Sequence, residues 1–149
     1  MKTNNPTSPS RRHMTVVDYR VLTPGARRLK ARTLRLTRRA GRNNQGRITV
    51  RHQGGGHKRI YREVDFTGGP VGVPGRVVAI AYDPYRTAFI AHVAYRNGDH
   101  RYLLAPDGLR AGAAVATGPE APLTLGCRTR LDRIPVGSYV HNIEFRPNG

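Results

Sequence analysis

The chain has 149 residues, of which 26 are Lys or Arg and nine are Asp or Glu, giving a net charge of +17. Its single cysteine, Cys127, excludes an intrachain disulfide and a cysteine-based zinc site. No apolar run approaches the roughly 18–20 residues that span a bilayer, so no membrane partner is expected.

The excess charge is uneven. Residues 1–62 hold 17 basic residues and one acid, Asp18, whereas residues 63–149 hold nine basic and eight acidic residues. The first part repels itself unless a polyanion neutralises it, while the second can fold by ordinary burial. Only Lys2, Lys30 and Lys58 are lysines; every other basic residue is Arg. That preference reflects either codon usage or a need for flat, five-donor forks that grip phosphate and stack on bases.

In chain order, MKTNNPTSPSRRH at 1–13 has no apolar segment and is not a secretory signal. Pro6 and Pro9 also make it a poor transit peptide, and its composition predicts an extended, disordered segment in the absence of a partner. MTVVDYRVLT at 14–23 holds a short β-prone run, and Pro24-Gly25 marks a turn. ARRLKARTLRLTRRAGR at 26–42 has too few apolar residues for more than a short basic helix.

GRNNQGRITVRHQGGGHKRIYR at 41–62 contains six Lys or Arg and no acid. GRNNQGR approaches a phosphate-binding loop in its glycine spacing. However, Arg47-Ile48 stands where such loops carry Lys followed by Ser or Thr, so nucleotide hydrolysis is not expected. Gly54-Gly55-Gly56 strips the β-carbons from about ten ångströms of chain, letting the backbone approach another surface and its N–H groups form an anion nest. Arg51 and His52 precede the triplet, and His57, Lys58 and Arg59 follow it. Cations and rings on both sides of a bare loop suit a folded RNA with crowded phosphates and splayed bases. Asn43, Asn44 and Gln45 either reach base edges or cap a turn. Tyr61 either stacks on a base or belongs to the barrel.

From Ile60 the pattern becomes one of short strands at 60–66, 76–83, 86–95, 99–105 and 113–117. Asn97-Gly98 predicts a type I′ hairpin, and a last strand is expected around Tyr139–Phe145. Five short strands with evenly spaced turns over 60–130 predict a small closed or partly closed barrel. Tyr82, Tyr95 and Tyr102 are expected in its core. Asp83-Pro84-Tyr85-Arg86 reads as a turn, with Arg86 available for one phosphate contact. The histidines form no metal set, none of the three serines sits in a nucleophile elbow, and no carboxylate pair is evident. No enzyme activity and no cofactor are therefore expected.

At GRNNQGRITVRHQGGGHKRIYREVDF the sequence resembles the L2 (uL2) family of large-subunit ribosomal proteins. PTSPSRRH at 6–13, AYDPYRTAFIAHVAY at 81–95, RYLLAPDGLRAG at 101–112 and IPVGSYVHNIEFRPNG at 134–149 agree in order. The resemblance implies a mainly β fold with an extended basic N-terminal arm over 1–59, an OB-fold barrel over 60–130 and the start of an SH3-like barrel over 131–149. It further implies binding of large-subunit rRNA, contacts with neighbouring ribosomal proteins, and support of subunit assembly and the peptidyl-transferase region without catalysis. By match to the family motif, rRNA contact is expected at Arg11, Arg12, His13, Arg42, Asn43, Arg47, Arg51, His52, Gly54, Gly55, Gly56, His57, Lys58, Arg59 and Arg62. Asn44, Tyr61 and Arg86 join them from the reading of the residues above. The family pattern continues past the equivalent of Gly149, so a truncated chain, or a second one carrying the C-terminal half of the fold, is expected. A mitochondrial ribosome is favoured over a plastid or bacterial one. The rival reading is a non-ribosomal OB-type RNA binder or RNA chaperone.

Overall fold

The computed structural model describes residues 2–146. The fold is mainly β. Its centre is a curled antiparallel sheet of β5 (Gly75–Ala81), β6 (Ile90–Tyr95), β7 (His100–Leu104) and β8 (Ala114–Val115), in the order β7-β6-β5-β8. Together with β4 (Tyr61–Arg62) these give the five strands expected between 60 and 130, in a half-barrel of OB type. β4 does not join the main ladder directly. It pairs with β3 (Thr33–Leu34), and Val64 then bridges in parallel to Tyr102 of β7. On the far side, Thr117 bridges in parallel to Arg128 and curls the sheet further.

The sheet carries two buried clusters. Val77, Ile80, Ala91, Val93, Tyr95, Leu109 and Val115 form one buried cluster, and Val64, Ile90 and Tyr102 form the other. Val77 and Ile80 are three positions apart, which on a regular strand would put them on opposite faces. A register shift between Val77 and Ala79 inserts one residue, so Val77 opposite Val93 and Ile80 opposite Ala91 enter the same cluster. Each such fully buried aliphatic side chain contributes about 1.5–3 kcal/mol.

Tyr95 and Tyr102 are core residues as expected, and burial pushes the Tyr95 phenol up to about 12. Tyr82 is not: it lies just past β5, is 46% exposed, and tilts against Tyr19 at 5.9 Å between ring centroids. The Asn97-Gly98 hairpin forms with a different turn. Only Gly98 has positive φ, Gly98 N–H donates to the Tyr95 carbonyl, and Tyr95 N–H donates to the Asp99 carbonyl. This is a type I turn closed by a left-handed glycine, the three-residue loop rather than the two-residue one.

The N-terminal region is more structured than its composition predicts. β1 (Lys2–Thr3) pairs with β2 (Thr15–Val16), and α1 (Pro9–Arg12) forms one turn between them, although nothing in this excursion is buried. The basic helix anticipated at 26–42 is replaced by a 3-10 turn at Lys30–Arg32 and by β3, because this segment docks on the sheet edge. Thr23 exchanges backbone bonds with Ile80 through its N–H and hydroxyl, both at 3.0 Å. Leu29 N–H donates to the Tyr102 hydroxyl at 2.7 Å, and Arg32 reaches Glu63 and Asp99.

No strand forms at 139–145. A strand needs a neighbouring strand to pair with, and among the described residues none pairs with this segment; Glu144 meets Arg128 through its side chain, while Tyr139 and Phe145 are fully exposed. The last residues of the 134–149 match, 147–149, lie outside the described residues. Among the described residues no helix is long and apolar enough to cross a membrane.

Candidate nucleic-acid interface

The segment between β3 and β4 projects from the half-barrel as a basic excursion, and its two glycine-bearing parts behave differently. The first, at 41–50, is a closed turn. Arg42 bridges antiparallel to Ile48, and Asn43 N–H donates to the Arg47 carbonyl at 2.9 Å. The Asn43 Oδ1 accepts from the Gln45 and Arg47 N–H groups, each at 3.0 Å, while Gly46 N–H donates to the Asn43 carbonyl. The donors a phosphate loop would aim outward are consumed inside the turn. This is the physical reason the G-x-x-x-x-G spacing here builds a hairpin rather than a nucleotide cradle. The Asn43 side-chain oxygen is therefore committed to turn capping.

Gly41 anchors the base of this turn. Its carbonyl accepts from both Thr49 and Val50 N–H, its φ is +69°, and a β-carbon on it would stand 2.1 Å from the Val50 carbonyl oxygen. Only glycine fits there.

The second part, at 52–57, has the opposite character. His52, Gly54, Gly55 and Gly56 all have positive φ. Among the described residues, the N–H groups of Gly54, Gly55, Gly56 and His57 donate no hydrogen bond. The loop is held from outside, by Arg38 Nη1 donating to the Gly55 carbonyl at 3.1 Å. Four successive uncommitted donors on a chain without β-carbons make a surface ready for anion binding.

The charges agree. Among the described residues every acid except Asp107 already sits in an ion pair. Among the described residues, Arg42, Arg47, Arg51, Lys58 and Arg59 have no carboxylate partner, and neither do Arg11 and Arg12 in the N-terminal excursion beside His13. All of these side chains, with Asn44 and His57, are exposed or half-exposed.

Tyr61, Arg62 and Arg86 are placed elsewhere. They surround Asp83, whose side chain is fully buried. Arg86 pairs with one of its oxygens, and Arg62 approaches the other at 3.7 Å. Arg86 also donates to the Tyr61 hydroxyl at 3.1 Å and to the Arg62 carbonyl at 3.3 Å, and Tyr61 meets Tyr85 edge-on at 5.5 Å. Arg86 is spent on a buried carboxylate, and the cluster roots the basic excursion on the sheet.

Sequence reasoning missed Asp83 as that anchor and Arg38 as the clasp on Gly55. Asp83 was hidden because an Asp-Pro pair also opens a turn, which it does: its Oδ1 accepts from Tyr85 N–H. Arg38 stands in a run of arginines that nothing local distinguishes. A family model described as Ribosomal Proteins L2, RNA binding N-terminal domain, matches residues 30–117, more than half of the chain. That span takes in the end of the docked part of the arm from Lys30, the whole basic excursion and the four-stranded sheet.

Proposed function

The chain belongs to the ribosomal protein L2 family, and from that membership we propose that it is a constituent of the large subunit that docks its 38–59 excursion into folded large-subunit rRNA. It is an RNA-binding protein with a structural role in the ribosome, and the family points away from an enzymatic one. The observation that carries the finer reading is the conjunction at 41–59: among the described residues, five cations without a carboxylate partner stand beside four backbone N–H groups without an acceptor.

In this reading Arg42, Arg47, Arg51, Lys58 and Arg59 neutralise phosphates, with Arg11, Arg12 and His13 on a second strand of rRNA. Gly54–Gly56 lie against the RNA backbone, and His52, His57 and Asn44 face bases or riboses. Tyr61, Arg62 and Arg86 act at the root of the excursion. Residues 1–59 serve as the rRNA-binding extension, 60–130 as the rigid barrel, and 131–149 as the start of an SH3-like domain. The exposed Tyr139 and Phe145 support a neighbour there. The protein supports subunit assembly and the peptidyl-transferase region by positioning rRNA.

Two measurements test this. The chain should co-sediment with large subunits through a salt wash that strips loose binders; release in that wash favours a free RNA chaperone instead. If 6–10 phosphates are neutralised, affinity for the rRNA should fall about 10³–10⁵-fold between 50 and 200 mM salt. A flat salt response overturns the electrostatic account.

A further inference from the structure

The closed turn and the glycine loop face each other across an open concavity of about 510 Å³. Its chemistry is mixed in a specific way. Ile48 and Val50 line it with side chains 61% and 54% exposed, while Arg42, Arg51, His52 and the Gly54–Gly55 backbone supply the rest of the wall used here. Single exposed aliphatics are ordinary on protein surfaces. Ile48 and Val50 are held at this concavity by the bridge from Ile48 to Arg42 and by the Thr49 and Val50 N–H bonds to the Gly41 carbonyl. An apolar wall framed by guanidinium planes, an imidazole and uncommitted N–H groups matches one kind of ligand: a flat, π-faced ring bearing an adjacent anion.

We propose that this concavity receives a single unstacked nucleobase of the bound RNA, with its flanking phosphate on the Gly54–Gly56 backbone. The inference rests on the RNA-binding reading above and adds a distinct subsite to it. The volume falls within the range of about 300–1,000 Å³ typical of sites that take small organic ligands, enough for a base and its ribose. The occupant is a base rather than an apolar peptide side chain, because residues 41–62 carry six cations and no acid, which favours a polyanion over a neutral partner. Recognition is tolerant of base identity, because an aliphatic wall and guanidinium planes accept any π-face.

The test uses the full chain and three RNA hairpins of one stem sequence: one with a single adenosine bulge, one with an abasic residue at the bulge, and one fully paired. Affinities are measured by fluorescence titration at fixed salt. The adenosine bulge should bind about 5–150-fold more tightly than the abasic bulge, the span expected for stacking one base. Ile48→Ala should bring that ratio towards one. So should His52→Asn, which removes the ring but keeps a residue that tolerates positive φ. Lys58→Ala should weaken all three RNAs alike. Equal affinity for adenosine and abasic bulges with a steep salt dependence would overturn the base pocket and leave RNA binding standing. Weak binding to all three with no salt dependence would overturn the RNA reading itself.

Discussion

Gly69 and Gly55 both have positive φ, but for different reasons. A β-carbon on Gly69 would stand 2.0 Å from the Tyr95 hydroxyl oxygen; one on Gly55 would meet nothing within 4 Å. In the barrel, glycine is demanded by packing, because the Tyr95 ring and its hydroxyl, which donates to the Gly68 carbonyl, fill the space a side chain would need. In the basic excursion, glycine is demanded by conformation and by whatever approaches from outside. The contrast extends to charge. Barrel carboxylates are spent on arginines, as in Asp65 and Asp99 with Arg101, whereas cations of the excursion are left over. One region is satisfied from within, and the other is built with unmet donors.

The root between the two regions gives the largest expected effect. Asp83→Ala would leave Arg62 and Arg86 without their carboxylate in a half-buried setting, and removing one partner of a buried pair costs about 3–5 kcal/mol. The urea midpoint should fall accordingly, and the excursion should become protease-sensitive. An unchanged midpoint would mean that Asp83 does not anchor it.

Paired glycine substitutions sharpen the contrast next. Gly69→Ala should destabilise the barrel by about 2–3 kcal/mol, combining overpacking against Tyr95 with a disfavoured φ. Gly55→Val should leave the thermal midpoint of the barrel nearly unchanged, yet weaken incorporation into the large subunit. Equal loss of barrel stability in the two variants would erase the distinction drawn between them.

A smaller effect is expected from pH. Burial pushes the Asp65 carboxyl up, but hydrogen bonds from Arg101 and Thr67 outweigh it and hold the group below its ordinary value. Folding thus favours the ionised form. That stabilisation is fully present above the ordinary carboxylate pKa of about 3.9 and is lost as pH falls through the lower folded value. Asp65→Asn should flatten the acid limb of a stability–pH curve, leaving the share that Arg101 confers on Asp99.

Much of the barrel was legible because strands announce themselves locally: Ile90–Tyr95 and His100–Leu104 are β-rich runs separated by Asn-Gly. The exact turn was not, since Asn97 supplies a side-chain acceptor to Asp99 N–H rather than a positive φ, and only the folded register decides between the two. The docking of residues 23–34 was also hidden. It depends on Thr23, Leu29 and Arg32 meeting Ile80, Tyr102, Glu63 and Asp99, and contacts so distant in sequence leave no periodicity. The site was legible as composition: an acid-free basic stretch with three glycines. That Arg86 and Arg62 belong to Asp83 and not to the exposed set required the tertiary fold.

The smallest expected effect concerns Asn43, whose oxygen caps the turn while its amide nitrogen has no partner among the described residues. Asn43→Ala removes two acceptor contacts in an exposed loop, a local cost of about 1 kcal/mol that the barrel should not register. RNA affinity should still drop by roughly fivefold, because a looser turn must be ordered on binding. Asn43→Ser separates the two roles of the side chain. A serine hydroxyl can accept from the same backbone N–H groups, though more weakly, and cannot reproduce the two-sided carboxamide edge that pairs with a base. Recovery of most of the affinity in the serine variant assigns Asn43 to shaping the turn. Affinity as low as that of the alanine variant assigns it to the RNA, and would extend the outward-facing character of the glycine loop to the turn beside it.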